Sequence, residues 1–487
     1  MAEINLIKKK TKAGLQWNLI GQVASYLITL IGTIILSRLL SPSEFGLFGM
    51  LAVLSSLGSL VVGMGLAHAI VQNQQLTEQD LSSIFWLNFI FGTLMALTFY
   101  FSAETIAIFY NQPELEVITQ SFSVIFLIYG FSSVPLGILS KGLKFKELVL
   151  SQLVASIISY TISVFLASAG YGVCSLVCQS LINHGVYNLL NFYFCKWRPQ
   201  FLFSRDPLMK ISKFSRNFLP SQLLDFFSQS FDMLLIGKYI GKADLGLYGR
   251  AAALVQLPVN SLGLIFNKTF FSMFSALQEK QEALVDNYYR AIKYLSLSLI
   301  PILILTSILA NDIVIFLFGN SWSMMAPLTS WLAISGILTS YNNFNDSVIT
   351  SQGRTDLLLR INFVEKVLLI ISIYIGLNYG IIGIVYARIF SVLLMFIPKL
   401  LILAHVLKTS IKLWFYNQRL IFISLGLTAG LTYALSSAIQ VNPFVNLASI
   451  VFFAFISMFG LLMLLREKSI LDLLQMIKVV LRAGDKI

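Results

Sequence analysis

The sequence predicts an all-α polytopic membrane protein with about fourteen transmembrane helices. We expect two parallel six-helix repeats, or lobes, around a central cavity, followed by two extra C-terminal helices. Of the 487 residues, 57% are hydrophobic and only 11% are charged, whereas an average soluble domain is about 25% charged. Fourteen apolar stretches have the length of a membrane-spanning helix, about 20 residues. In addition, the motif Leu36–Gly49 recurs 200 positions later.

Short turns such as Gly170-Tyr171-Gly172 separate several of the apolar stretches, which leaves no room for a large extramembrane domain between them. The first stretch follows four lysines, but it is too long for a signal sequence and has no cleavage site of small residues. We therefore expect an uncleaved first span. The predicted spans are about 14–36, 46–69, 81–103, 115–139, 148–169, 172–194, 217–237, 245–267, 294–311, 324–349, 357–377, 379–403, 418–437 and 443–465.

The 34 lysines and arginines are distributed asymmetrically. Counted along the predicted spans, 28 lie at the N-terminus, in even-numbered connections, near span ends (Lys399 among them) or in the tail. Only Arg38, Lys238 and Lys242 lie in odd-numbered connections. The positive-inside rule then predicts a multi-pass protein of the cell (inner or plasma) membrane with both termini cytoplasmic. No soluble module carries a basic face, so no nucleic-acid partner is predicted.

The two copies of the repeated motif, Leu36–Gly49 and Ile236–Gly249, share basic and acidic positions and the ending G-L-[FY]-G. An even number of spans per copy makes the repeat parallel. Repeated halves with a binding site near the midplane are typical of transporters. Further pairs at similar offsets are Gln22 with Gln222, Ala103 with Ala310, and Gly172 with Gly380.

This repeat predicts the domain organisation. The N-lobe covers 1–200 with spans 1–6, and the C-lobe covers 201–410 with spans 7–12. Spans 13–14 follow in 411–466, and 467–487 form a cytoplasmic tail. Within the tail, 468–482 has the pattern of an amphipathic helix on the membrane interface.

The sequence contains few of the residue patterns that are typical of enzymes. The three histidines have no neighbouring metal ligand in the sequence, and Cys174 and Cys178, one turn apart in span six, are typical of a helix contact. The stretch Gly237–Ala243 lacks the spacing of a nucleotide-binding loop. We therefore predict no enzyme activity, no metal and no cofactor. A membrane glycosyltransferase or polymerase, the alternative from another class, needs a larger external loop than the sequence offers.

Two predicted spans carry polar stripes at helical spacing, each on a single helix face. They predict two walls of a water-filled cavity; hydrogen bonding between packed helices is the alternative, which the two carboxylates disfavour. Asp225 and Asp232 are also candidates for coupling to an ion. The stripes consist of Asn18, Gln22, Ser25 and Thr29 in span one, and of Gln222, Asp225, Gln229 and Asp232 in span seven.

Charged residues inside spans cost roughly 2.5–3.5 kcal/mol each and usually face a cavity or a partner. Arg388 is the strongest candidate for an anion ligand, because a guanidinium binds phosphate oxygens in a bidentate manner. Arg250 and Lys366 are further candidates for binding the anionic substrate, with snorkelling to a membrane surface as the alternative. Glu365 is the third candidate for ion coupling. The polar run 342–346 is expected to line a vestibule at the cytoplasmic end of span ten.

Three sequence features together resemble one family. They are the fourteen predicted spans, the two six-helix copies, and the [LI]-x-[RK]-x-[LI]-x(4)-[FL]-G-L-[FY]-G pattern after the first helix of each copy. The stretch Phe318-Gly319-Asn320-Ser321-Trp322 before span ten adds to the likeness, and Phe85-Trp86-Leu87-Asn88, opening span three, resembles one branch of the family. The chain is similar to the polysaccharide-export flippases, the Wzx-type members of the multidrug/oligosaccharidyl-lipid/polysaccharide exporter superfamily, and particularly to the branch exporting colanic acid and lipopolysaccharide units.

The resemblance implies a transporter, or flippase, for lipopolysaccharide or exopolysaccharide biosynthesis. Its cargo would be an oligosaccharide repeat unit on undecaprenyl diphosphate, moved across the cytoplasmic membrane by alternating access with H+ or Na+ coupling. The implied partners are this lipid-linked oligosaccharide, membrane lipid and the polysaccharide polymerase machinery. A cationic cavity, which the resemblance implies, fits Arg250 and Arg388.

Two other members of the same superfamily are alternatives. Drug and cation exporters of the MATE type have, as a rule, twelve spans and acidic sites, so spans 13–14 and Arg388 argue against them. The flippase of the peptidoglycan precursor also has fourteen spans, and only the motifs separate it from the favoured interpretation.

Overall fold

The computed structural model describes residues 2–73, 75–201, 222–223, 226–227 and 229–438, together with 453, 456, 457 and 460. This part of the chain is helical without any strand, which confirms the predicted all-α class. Close packing divides the chain into two compact units, Met1–Gly246 and Leu247–Ile487. Nearly all of span fourteen and the whole tail 467–487 lie outside the described residues. The lobe boundaries at 200, 410 and 466 stay predictions.

The first unit follows the predicted spans, with two breaks that hydropathy did not indicate. Span two bends at Met64, whose φ is +43°, and span four is divided into three short helices. Helix α9 packs along both α1 and α10, and α4 packs against α7. The helices are α1 (Ala2–Leu39), α2 (Pro42–Gly63), α3 (Leu66–Gln72), α4 (Glu78–Phe101), α5 (Ala103–Tyr110), α6 (Glu114–Phe122), α7 (Val124–Gly130), α8 (Ser133–Lys141), α9 (Phe145–Ser168) and α10 (Val173–Cys195).

The second unit begins within a long helix, α11 (Lys242–Ala276), which follows a π-helical turn at Ile236–Ile240. The helix Met325–Ser351 packs mainly against Gln281–Ile308 and Gly380–Val406, and Thr355–Gly376 and Gly380–Val406 pack along each other as a hairpin. The remaining helices are α12 (Gln281–Ile308), α13 (Ala310–Phe318), α14 (Met325–Ser351), α15 (Thr355–Gly376), α16 (Gly380–Val406) and α17 (Ile411–Ala438).

Local sequence signals fix several helix starts. Helix α2 begins with a capping box: the Glu44 backbone N–H donates to Ser41 Oγ, and the Ser41 backbone N–H donates to the Glu44 carboxylate at 2.6 Å. Pro42 occupies the first turn, where its missing N–H costs nothing. Thr77 and Asp80 form the equivalent box at the start of α4. These caps set where two of the spans begin.

The repeat found in the sequence has a counterpart in local structure. Both motif copies run from a helix end through a short turn into the next helix start. The paired alanines each begin a short helix, Ala103 opening α5 and Ala310 opening α13. The paired glycines, Gly172 and Gly380, both have positive φ, +53° and +70°, at the start of α10 and α16. Equivalent residues therefore take equivalent places in the two copies.

The starts of α2 and α11 cross at a pair of matching glycines. A Cβ added at Gly46 would overlap the carbonyl oxygen of Lys242, the first residue of α11. A Cβ added at Gly246 would overlap the carbonyl oxygen of Pro42, the first residue of α2. The contact is reciprocal, since each glycine faces a backbone carbonyl of the other helix start. Glycine is required at both positions because two helix backbones touch there.

Seven helical stretches among the described residues are long and apolar enough to span a membrane, including Gln16–Leu39, Gln281–Ile308 and Thr355–Val406. The last stretch holds both α15 and α16. The other long helices, α10, α11, α14 and α17, carry more polar side chains. This arrangement confirms a polytopic membrane protein, and it directs attention to the polar residues within its helices.

Candidate functional site

The polar stripe of α1 lies opposite an exposed apolar face of the same helix. Asn18, Gln22 and Ser25 are half-buried, and Thr29 is exposed. About half a turn away lie exposed apolar side chains suited to lipid: Ile20, Val23, Leu27 and Ile31, each more than half exposed. The stripe therefore points away from the lipid-facing side. The only hydrogen bond described for its side chains is a long one from Gln22 to the Tyr26 hydroxyl, at 3.5 Å.

The second stripe is less uniform than the sequence predicts. Gln222 is half-buried and Gln229 is exposed, but Asp232 is 2% exposed. The Asp232 carboxylate accepts a hydrogen bond from the Met233 backbone N–H at 2.9 Å. Asp225 lies outside the described residues. Asp232, one of the two ion-coupling candidates in this stripe, is thus a buried carboxylate. The role of the stripe as a cavity wall stays a prediction.

Other polar residues of the first unit connect helices to one another. Asn88, from the Phe85–Asn88 motif, donates to the Gly130 carbonyl at 2.9 Å and to Ser133 Oγ at 3.0 Å, where α7 gives way to α8. Asn188 of α10 donates to the carbonyl of Ile128 at 2.8 Å. Asn88 thus pairs with a backbone carbonyl where span four is broken, as expected of a buried backbone group. Asn188 joins α10 to α7.

Arg388 is the ninth of the 27 residues of α16 and is half-buried. Its Nη1 donates to the hydroxyl of Tyr248 on α11 at 3.3 Å, and Tyr248 is completely buried. Tyr248 is the aromatic residue of the second motif copy; the first copy has Phe48 there, which has no hydroxyl and packs edge-on against Phe122. The second copy alone therefore supplies a polar anchor for a guanidinium.

The other two predicted anion ligands, Arg250 on α11 and Lys366 on α15, are both half-buried. The hairpin of α15 and α16 turns at Leu377–Tyr379. At 1.5 Å per residue, Lys366 lies about 18 Å and Arg388 about 15 Å from this turn. The two cations are therefore at similar depth on neighbouring helices, and their joint action on a ligand stays a prediction.

A buried ion-pair cluster joins three helices of the second unit. The Lys399 Nζ of α16 lies 2.7 Å from Glu365 Oε2 of α15 and 3.0 Å from Asp346 Oδ2 of α14. The Lys399 side chain is 3% exposed, whereas Glu365 and Asp346 are 24% and 22% exposed. We call these three residues the carboxylate–lysine triad. Its net charge is negative, because two carboxylates share one ammonium.

Lys399 is a functional candidate that sequence reasoning missed. Its position near a span end predicted only a cytoplasmic charge, whereas its side chain is 3% exposed and paired with carboxylates of α14 and α15. The available signal was its position in the apolar run 389–403, which has no other charge. Its two partners come from other helices, so spacing along the chain did not indicate them. The vestibule expected at 342–346 is also only partly open, since Asn342 and Asn345 are 2% and 0% exposed.

A neutral hydrogen-bond network lies next to the triad. The hydroxyl of Tyr288 on α12 donates to Asn345 Oδ1 at 3.0 Å and accepts from Trp414 of α17 at 2.9 Å. Ser296 Oγ of α12 donates to Gln418 of α17 at 3.0 Å. These bonds attach α17, the first helix after the second repeat, to α12 and α14. One of the bonded residues, Asn345, directly precedes Asp346 of the triad in α14.

Comparison with known proteins identifies related sequences. A family model described as "Polysaccharide biosynthesis protein" matches residues 35–327. The teichuronic acid biosynthesis protein TuaB of Bacillus subtilis (strain 168) is 28% identical over 422 residues, 84% of this chain and 86% of that protein. The lipopolysaccharide biosynthesis protein WzxC of Escherichia coli (strain K12) is 23% identical over 372 residues, 76% of each chain.

Two solved structures share the fold. The lipid II flippase MurJ in an inward closed conformation matches with a TM-score of 0.76 and 16% identity, over 93% of this chain and 99% of that chain. An inward-facing MATE family multidrug transporter of the MOP superfamily matches with a TM-score of 0.61 and 18% identity, over 79% of this chain and 96% of that chain. Both likenesses concern the fold alone.

Proposed function

Because the chain belongs to the polysaccharide biosynthesis protein family, we propose that it is a flippase. Its cargo is an oligosaccharide repeat unit linked to a polyprenyl diphosphate, moved across the cytoplasmic membrane for lipopolysaccharide or exopolysaccharide biosynthesis. The family match confirms the resemblance to the polysaccharide-export flippases that the repeated motif predicted. The relatives are biosynthesis and transport proteins of the same kind, which agrees with a transporter rather than an enzyme.

The observation that carries this proposal is the position of Arg388. A guanidinium within a membrane-spanning helix costs up to several kcal/mol on insertion scales, so its retention there calls for a ligand or partner. Tyr248 holds one guanidinium nitrogen at 3.3 Å, which orients the group. A guanidinium binds phosphate oxygens through parallel hydrogen bonds. Arg388, assisted by Arg250 and Lys366, is therefore proposed to bind the diphosphate.

The sugar head group needs a polar path. Each hydroxyl costs roughly 4–8 kcal/mol to bury in hydrocarbon without a partner, so a repeat unit of several sugars does not cross lipid unaided. We assign Asn18, Gln22, Ser25, Thr29, Gln222 and Gln229 to this path, because they offer amide and hydroxyl groups. The polyprenyl tail stays in lipid while alternating access moves the head group.

Orientation and localisation are part of the proposal. The charge asymmetry puts both termini in the cytoplasm of a protein in the cell (inner or plasma) membrane. Fusion of alkaline phosphatase or green fluorescent protein to loop residues tests it. Activity of the phosphatase fused after Lys242, together with fluorescence after Lys141, is expected; the reverse pattern contradicts the orientation.

Ion coupling and a downstream partner complete the proposal. H+ or Na+ binding at Asp225, Asp232 or Glu365 is proposed to drive the cycle. Once the repeat unit is outside, the polysaccharide polymerase machinery is proposed to consume it. A drug exporter or a peptidoglycan-precursor flippase would share the fold, so the cargo has to be established directly.

Deletion of the gene in the native host, followed by complementation, tests the proposed function. We expect loss of surface polysaccharide and accumulation of its lipid-linked repeat unit, both restored by the wild-type gene. Arg388→Ala should restore neither, although the protein is inserted at normal level. Arg354→Ala is the matched control, because Arg354 is exposed and paired with Asp356 outside the site. Normal polysaccharide output without the gene, or with Arg388→Ala, contradicts the proposal.

A further inference from the structure

The carboxylate–lysine triad has the charge and the burial of an ion-binding site. Neither the family match nor the proposed substrate accounts for it. We propose that Asp346, Glu365 and Lys399 form a one-proton site, in which Lys399 occupies the place that a metal cation would take between the carboxylates. The use of this proton in driving transport rests on the proposed flippase function. The site itself does not, since it is defined by the three side chains.

The geometry of the helices brings the triad together. Side chains on an α-helix tilt toward its N-terminus. Lys399 of α16 therefore leans toward the turn at 377–379, whereas Glu365 on the antiparallel α15 leans away from that turn. Their charged ends meet at 2.7 Å although the two residues lie at different distances from the turn. The ammonium is nearly excluded from solvent, while both carboxylates remain about a quarter exposed and thus within reach of water.

The charge balance calls for one more positive charge. Two carboxylates held on one ammonium are within about 6 Å of each other, because their oxygens lie 2.7 Å and 3.0 Å from the same Lys399 Nζ. A net negative charge inside a membrane protein is costly. One added proton makes the triad neutral. A metal ion would instead have to compete with the Lys399 ammonium for the same carboxylate oxygens.

The structure also provides a place for the proton. Asp346 Oδ1 is buried and has no hydrogen-bond partner among the described residues. One turn earlier on α14, Asn342 is 2% exposed, and neither its amide oxygen nor its nitrogen is partnered. On α15, the amide oxygen of Asn362, one turn before Glu365, is likewise buried and unpartnered. A proton on Asp346 Oδ1 would turn this unpartnered oxygen into an O–H donor, and the amide oxygens of Asn342 and Asn362 are buried acceptors that lack a donor among the described residues.

The described helices that carry or pack against the triad hold other ionisable groups. Tyr288 and Tyr341 face the same interior, and both hydroxyls are hydrogen-bonded within the neutral network. Outside the triad, the half-buried charged side chains of α12, α15, α16 and α17 are Lys293, Lys366 and Arg388. The exposed ones are Glu282, Asp286, Arg290, Asp356, Arg360, His405, Lys412 and Arg419.

Lys399 and Arg388 are connected through one rigid element. They are eleven residues apart on α16, which puts them on the same helix face about 16 Å apart. Protonation of one carboxylate weakens the electrostatic attraction between the Asp346–Glu365 pair and Lys399. A shift of α16 in response would move Arg388 along with it. The proton comes from water on one side of the membrane and leaves to water on the other, so no further reactant is needed.

Infrared spectroscopy of the purified full-length protein in lipid nanodiscs tests the site. We expect a protonated-carboxyl band that titrates between acidic and neutral pH, with the same midpoint in Na+ and K+ buffers. The band should disappear in Asp346→Asn and persist in Asp356→Asn, which removes an exposed carboxylate. Lys399→Met should move the midpoint to higher pH, because the stabilising cation is lost. Should Asp346→Asn fail to fold, Glu365→Gln gives a second test, with the midpoint moved to lower pH.

Persistence of the titrating carboxyl band in Asp346→Asn, or an unchanged midpoint in Glu365→Gln, overturns the proposal. A midpoint that depends on Na+ does so too, because it indicates a metal site. Transport in liposomes with an imposed pH gradient supplies the functional arm: the wild type should respond to the gradient, and Asp346→Asn should not. A titrating triad in a protein that moves no lipid-linked oligosaccharide would contradict the flippase function while leaving the proton site intact.

Discussion

The substitution Gly246→Ala tests how tightly the two motif copies cross. The new methyl group would overlap the Pro42 carbonyl oxygen and lie 3.0 Å from the Gly46 backbone nitrogen. Both neighbours are backbone atoms at a helix start, so no rotamer change relieves the overlap. Overpacking typically costs 1–3 kcal/mol, and a backbone clash belongs at the upper end of this range. We therefore expect the free energy of unfolding to fall by about 3 kcal/mol, which is roughly a hundredfold in the folding equilibrium constant.

Thermal unfolding of the detergent-solubilised protein, followed by tryptophan fluorescence, measures this loss. Gly249→Ala is the matched control: it lies three residues later in the same helix, and its added Cβ meets nothing within 4 Å. Because alanine favours helix over glycine by up to about 1 kcal/mol, the control should unfold at the wild-type temperature or above. Equal stability of Gly246→Ala and the wild type, or equal losses in both variants, would refute the close crossing.

Three further outcomes follow from described contacts. Asn88→Ala should cost about 1–3 kcal/mol, since it leaves a buried carbonyl at the end of α7 unpaired; an unchanged unfolding temperature would contradict this. Glu114→Gln breaks a solvent-exposed ion pair and should change the unfolding free energy by less than about 1 kcal/mol; a larger loss would show that the pair is structural. Tyr248→Phe removes the hydroxyl that holds Arg388 and should slow transport several-fold, whereas Tyr239→Phe, at an exposed site, should not. Equal transport rates for the two tyrosine variants would contradict the role of Tyr248 as an anchor for Arg388.

The fold was largely predictable because hydrophobic length and internal repetition are properties of the sequence itself. The pairing of Ala103 with Ala310, and of Gly172 with Gly380, identified residues that open equivalent helices. The breaks in spans two and four were not predictable from hydropathy. They persist because side chains such as Asn88 bond to the freed backbone carbonyls, and those contacts join residues about forty positions apart.

The candidate site was predictable only in part. Arg388 and Glu365 stood out as charges inside apolar runs, and the structure gives each a defined contact. Lys399 did not stand out, because its charge fitted the positive-inside count equally well. The triad depends on three helices meeting, and no spacing within one helix carries that information. Asp232 illustrates the reverse case, since its position in a polar stripe did not indicate how deeply it is buried.

Flipping by the purified protein in liposomes tests the central claim most directly. A lipid-linked oligosaccharide with a diphosphate bridge is placed in the inner leaflet, and its exposure to an externally added glycosidase is followed over time. We expect exposure well above that of protein-free vesicles, loss of most of this activity in Arg388→Ala, and retention in Arg354→Ala. Wild-type vesicles that expose the head group no faster than empty ones, or an Arg388→Ala variant as fast as the wild type, would contradict the account.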